Sequence, residues 1–241
     1  MIDKKLSKAV VEAIQLGLKR AKIAEMENGD RFNNAKSSKI LDKMMSSLYS
    51  SLSLDERLEV FEFYRGSYKL LLVYCRGEHR LYSFMSENRM NSLINSKKRE
   101  DKKNYIFALI KLNPEERQQQ ILFQETDIVL DEQKKIIEKV RQIINEDDNI
   151  EYITFLYDKK GYNLLSVRVV KMSQYAEIIE SQDLSDYIAV DYDDVYENAN
   201  NDSIEATGDL EISLKKEILA QSEVIDIKPN NENMRKEEDN E

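Results

Sequence analysis

One thiol and one imidazole set the outer limits of the chemistry this chain can perform. Cys75 is the only cysteine and His79 the only histidine among 241 residues. A disulfide framework and a Cys-x-x-Cys redox or metal site are therefore excluded, as are zinc sites built from Cys and His. Any nucleophile activated by histidine would have to use His79. Cys75 ends the apolar run 68–75, which predicts a buried small hydrophobe rather than a reactive thiol. The six glycines, Gly17, Gly29, Gly66, Gly77, Gly161 and Gly208, stand too far apart for a P-loop or a GxGxxG dinucleotide loop. There is no aromatic-rich RNA-binding signature either.

What remains is charge, and it is unevenly distributed. The formal net charge is -10, yet residues 1–182 carry 31 basic and 28 acidic side chains. The stretch 183–211 carries ten acids and no Lys or Arg, and 212–241 carries five basic and eight acidic residues. A mildly basic body is thus followed by an acidic segment. Carboxylates compete for a basic groove through long-range attraction, so Asp191, Asp193, Asp194 and Glu197 are candidate contacts to a basic protein partner. A solubilising tail and an intramolecular cover for the basic body are the other roles such a run can take. Positive charge gathers at Arg89, Lys97, Lys98, Arg99, Lys102 and Lys103, interrupted by Glu100 and Asp101. That pattern is able to neutralise phosphates, which makes it the candidate nucleic-acid surface. It also arises wherever a solvated helix end collects cations against the dipole.

The elements that must position these residues centre on 58–112. Alternation from Glu59 to Tyr64 predicts an edge strand with one solvated face. Tyr68–Cys75 is apolar on both faces and predicts a covered, central strand, and Arg80–Met85 predicts a third, each joined to the last by a Gly-containing turn. The period then changes. Met90, Leu93 and Ile94 share one face of a helix over Glu87–Ser96, with Ser86 as its N-cap. Tyr105–Leu112 reads as a two-sided apolar strand returning parallel to the same sheet, closed by Asn113-Pro114.

Before this block, apolar stripes predict helices from Lys4 to about Met26 and from Ala35 to about Leu52. Gly17 sits on the first stripe and permits close packing; Asn33 or Asn34 caps the second helix. After it, Pro114–Gln124 reads as a short helix and Asp131 as the N-cap of a helix to about Asn145. Glu151–Tyr157 and Tyr162–Val170 flank Asp158–Gly161 as a hairpin, with a further strand at Tyr175–Ile179. The organisation expected is a folded α+β body over 1–182, an acidic segment over 183–211 partly docked through its tyrosines and aliphatics, and a short helix and solvated tail over 212–241. No run of 18 apolar residues and no apolar leader after the first charges occur, so the chain is expected to be cytoplasmic and off the membrane.

The order of helix 35–52, three strands, helix 87–96 and strand 105–112 resembles the αβββαβ core of the PD-(D/E)xK nuclease superfamily. That family places an acid on the second strand and an E-x-K on the third, where two carboxylates hold a divalent metal and a lysine positions water. Here the second strand has no acid, the third is preceded by Glu78-His79-Arg80, and Glu62 on the first would have to supply the other ligand. Arg cannot act as a base as Lys can. The resemblance therefore implies either a divergent nuclease holding Mg²⁺ with Glu62, Glu78 and Arg80, or the same fold without a metal site, Glu78-His79-Arg80 being a solvated turn. The second is the reading adopted, with no catalytic residue, metal or cofactor.

A second resemblance is shorter. Arg65-Gly66-Ser67-Tyr68-Lys69-Leu70-Leu71-Leu72-Val73-Tyr74 followed by Leu81–Arg89 resembles a segment of uncharacterised proteins from low-GC Gram-positive bacteria and their phages. It implies a mobile-element setting, where defence and counter-defence are common tasks. Together these readings predict a mixed β-sheet flanked by helices, in a non-catalytic interaction protein that binds and modulates another protein of a host or competitor.

Overall fold

The structure, a computed structural model, describes residues 2–28, 35–65, 68–96, 103–114, 127–145 and 150–189. The two N-terminal stripes form helices α1 (Lys4–Asn28) and α2 (Lys36–Leu52). They cross at Gly17, where a Cβ would lie 2.5 Å from the Cα of Met44. Only a residue without a side chain allows the two backbones to approach that closely. The second helix begins behind Ala35, which makes no side-chain cap hydrogen bond, while the expected caps Asn33 and Asn34 lie outside the described residues.

The sheet follows from the alternations. β1 (Leu58–Arg65), β2 (Tyr68–Cys75) and β3 (Arg80–Ser86) form an antiparallel meander, and β4 (Glu151–Lys160), β5 (Asn163–Met172) and β6 (Ile178–Asp183) form another. The two meanders join through a parallel pairing of β3 with β4, giving one six-stranded sheet in the order β1-β2-β3-β4-β5-β6. β1 is the edge its one solvated face required, and β2 buries side chains on both faces. Leu71, Val73 and Cys75 join α1 and α2 in one core, while Leu72 and Tyr74 join the other.

That other core is built by α3 (Glu87–Ile94), α4 (Tyr105–Leu109) with a 3₁₀ turn over Ile110–Leu112, and α5 (Asp127–Ile144). Ser86 caps α3 as expected, accepting from the Arg89 N–H at 3.3 Å. The strand expected over Tyr105–Leu112 is instead helical. Asn104 starts it by accepting the Ile106 N–H at 3.2 Å, and Tyr105 to Ile110 are all buried. A run apolar on every side fits a buried helix as well as a buried strand, and here local capping decides it. The parallel return to the sheet is therefore made by β4, with three helices among the described residues between it and β3.

Smaller boundaries shift for related reasons. α5 starts four residues before Asp131, which lies inside it, and the short helix expected over Pro114–Gln124 falls mostly outside the described residues. The second hairpin is longer than expected, turning at Gly161 with φ +61°. The last strand begins at Ile178 rather than Tyr175, because Ala176 takes φ +63° and Ser173 closes a turn onto Glu177. Beyond β6, Leu184 is fully buried, and Tyr187 and Ile188 pack against the α1–α2 core. No described helix is long and apolar enough to cross a membrane.

Candidate functional site

Two of the charged residues singled out in the sequence, Glu78 and Arg80, meet at the amino end of the parallel pair. Cys75 ends β2, a 3₁₀ turn runs over Arg76–Glu78, and His79 takes φ +52° before β3 begins. This turn aims Arg80 across to the neighbouring strand. Arg80 donates to Glu78 at 2.8 Å and to Glu151, its register partner on β4, at 2.6 Å. Lys171 on β5 reaches the other oxygen of Glu151 at 2.8 Å. Burial opposes ionisation of Glu151, yet hydrogen bonds from Lys171 and Arg80 outweigh it and hold the carboxyl below its ordinary range. The result is a charge relay across β3, β4 and β5 that ties the two meanders together.

Glu62 belongs to a different place. It pairs with Leu71, four residues along β2 from Cys75, hence about 13 Å from the Glu78 turn at the usual strand rise. Its carboxylate accepts from the Tyr64 hydroxyl at 2.7 Å and pairs with Lys69 at 3.2 Å. Those hydrogen bonds, Tyr64 first, lower its pKa. The structure thus brings Glu78 and Arg80 together but leaves Glu62 apart, and among the described residues no three His, Cys, Asp or Glu side chains form a metal-holding group. Cys75 is buried, and burial pushes its thiol up. The Tyr74 hydroxyl lies 3.4 Å from Nδ1 of His79.

Of the basic cluster, Arg89 is exposed on α3 and Lys103 pairs with Glu132 of α5 at 2.8 Å. Lys97, Lys98, Arg99 and Lys102 lie outside the described residues, as do Asp191, Asp193, Asp194 and Glu197. The root of the acidic segment is described. The Leu184 N–H donates to Val167 at 2.8 Å, the Val167 N–H donates to Ser185 Oγ at 3.3 Å, and Gln15 of α1 bonds both the N–H and the carbonyl of Ala189. Asp183 accepts from the Ser185 hydroxyl and N–H, which lower its pKa. The first residues of the acidic run are therefore fixed to β5 and α1.

Sequence reasoning missed a groove at the opposite end of the sheet from the charge relay. It holds about 470 Å³ between α2 and the end of β3, with Leu41, Met45, Leu71, Phe84 and Tyr157 as apolar walls and Lys69 and Arg89 among its polar lining. A signal was present in the α2 stripe, which is wider than the core needs: Leu41 and Tyr49 keep 42% and 44% of their surface exposed. A family model described as "Family of unknown function (DUF5986)" matches residues 1–228. No curated protein and no solved structure matches the chain.

Proposed function

We propose, for a chain that belongs to this family of unknown function, that it is a non-catalytic interaction protein whose acidic segment engages a basic protein partner. The observation that carries this reading is the anchoring of the segment. Leu184 is fully buried, Tyr187 and Ile188 pack on the α1–α2 core, and Ala189 is bonded to Gln15, so the chain is fixed to the body as far as Ala189. A partner's basic face would be drawn by the run's charge and oriented by the body at its root. The chemistry of the body supports binding over catalysis, since Glu62, Glu78, Arg80 and Glu151 are each engaged in ion pairs within the fold. In the mobile-element setting implied by the 65–89 segment, such a protein would inhibit or modulate a host or competitor protein, in defence or counter-defence.

The test keeps the chain whole. Asp191→Asn, Asp193→Asn, Asp194→Asn and Glu197→Gln are combined, and tagged wild type and variant are captured from host cells and analysed by mass spectrometry. A protein enriched with wild type is then purified and its affinity measured for both forms. The expected outcome is a basic partner whose binding weakens at least tenfold in the variant and falls with added salt. Equal affinity for both forms at every salt concentration refutes the assignment to the acidic segment.

A further inference from the structure

The groove between α2 and the sheet end is independent of the acidic segment. It opens beside the carboxyl end of β3, and Tyr157 on its wall is the register partner of Ser86, the last residue of that strand. β3 and β4 are the parallel neighbours of an otherwise antiparallel sheet. The volume of about 470 Å³ falls within the range of small-molecule sites, roughly 300–1,000 Å³.

Its lining selects the ligand. Leu71 and Phe84 from the sheet and Leu41 and Met45 from α2 form an apolar interior, and Lys69 and Arg89 bring two cations to it. None of the described residues lining it is an acid. Of the acids around it, Glu87 pairs with Arg168 at 2.5 Å, and Glu62 pairs with Lys69 at 3.2 Å, so an anionic head would share the Lys69 ammonium with that carboxylate. Burial pushes the Tyr157 phenol up to about 12, so at neutral pH it keeps its proton and is a donor.

We propose that this groove binds a free amphipathic small molecule, with an apolar body against Leu41, Met45, Leu71 and Phe84 and an anionic head held by Lys69 and Arg89. A medium-chain or aryl carboxylate has this chemistry. Each exposed cation contributes about threefold to the affinity, and the pair about tenfold.

The probe is anilinonaphthalene sulfonate, an aromatic body bearing an anionic group, whose fluorescence rises in an apolar site. Decanoate and decanol, equal in chain length and different in charge, are titrated as competitors against the full chain. Decanoate is expected to displace the probe about tenfold more effectively than decanol. Lys69→Met combined with Arg89→Met reduces that preference to less than threefold while leaving decanol unchanged. Met45→Trp, which fills the interior, and Leu41→Glu, at a position with 42% of its surface exposed, each weaken all ligands at least tenfold. Unchanged near-ultraviolet circular dichroism separates that effect from misfolding. Equal displacement by decanoate and decanol overturns the assignment of the head group, and unchanged binding in a folded Met45→Trp or Leu41→Glu chain overturns the site. Phosphatidylglycerol vesicles present the same chemistry on a surface; displacement by vesicles without displacement by free decanoate overturns the free-ligand proposal in favour of a membrane surface. None of these outcomes bears on capture of a partner by the acidic segment.

Discussion

Gly17→Ala tests the packing that holds α1 and α2 together over the sheet. In most helices this exchange is stabilising, because alanine has the higher helix propensity by nearly 1 kcal/mol. Here the new Cβ would lie 2.5 Å from the Cα of Met44 and 3.0 Å from both the Met44 nitrogen and the Lys43 carbonyl oxygen. All three are backbone atoms of α2, so no rotamer change relieves them. Carbon atoms pack best at about 3.5–4.0 Å, which requires the helices to move apart by about 1 Å. Val10, Ala13, Ile14, Met44 and Leu48, all buried to 2% exposure or less, would lose contact as they did so. Overpacking costs about 1–3 kcal/mol. With a backbone contact placing the cost at the top of that range and propensity returning part of it, the net loss is about 2 kcal/mol. For a domain of this size that lowers the melting temperature by about 4–8 °C. Thermal unfolding followed by circular dichroism measures it, with Gly77→Ala as control, since a Cβ there meets nothing within 4 Å. A Gly17→Ala protein melting at or above wild type refutes the close-packing account.

Two further predictions concern the junction of the meanders. Asn113 is buried, donates to the carbonyls of Tyr152 at 3.0 Å and Met172 at 2.7 Å, and accepts the Tyr152 N–H at 2.6 Å. Asn113→Ala leaves three buried backbone groups unpaired and is expected to cost about 3 kcal/mol in urea unfolding; a loss below about 1 kcal/mol contradicts it. Glu151→Gln is expected to cost roughly 1 kcal/mol near pH 7. The folded carboxyl is held below its ordinary value of 4.5, so its stabilisation is present above that pH and is lost as pH falls through the folded pKa. The gap between wild type and Glu151→Gln should close in acid; a constant gap from neutral pH to pH 3 refutes the linkage.

The elements most legible in the sequence are those with one wet face. α2 and β1 repeat or alternate with a period that polar residues mark, and their places in the fold follow. Tyr105–Leu112 has no wet face, so its period is invisible, and only Asn104 beforehand distinguishes a capped helix from a strand. Asn113 was legible as a turn residue next to Pro114. Its work, closing the open ends of β4 and β5, was not, because its partners Tyr152 and Met172 are 39 and 59 residues away.

The same limit applies to Glu62, which the nuclease resemblance would need as a second ligand and which the structure leaves apart from Glu78 and Arg80. The E-x-R puts Glu78 at the end of the turn and Arg80 at the start of β3, two residues apart, and the structure keeps their side chains 2.8 Å apart. Bringing Glu62 to them requires β1 to slide four residues along β2, which would reverse no face but would strip Leu58 and Val60 from their places against the α1–α2 core. What fixes that register is the turn before β1, where the Leu58 N–H donates to Asp55 at 2.9 Å and Arg57 binds both Asp55 and Asp3 of the N-terminal segment. Charge pairs on the α1 side thus hold β1 where Glu62 pairs with Lys69, away from the turn where a metal site would need its carboxylate.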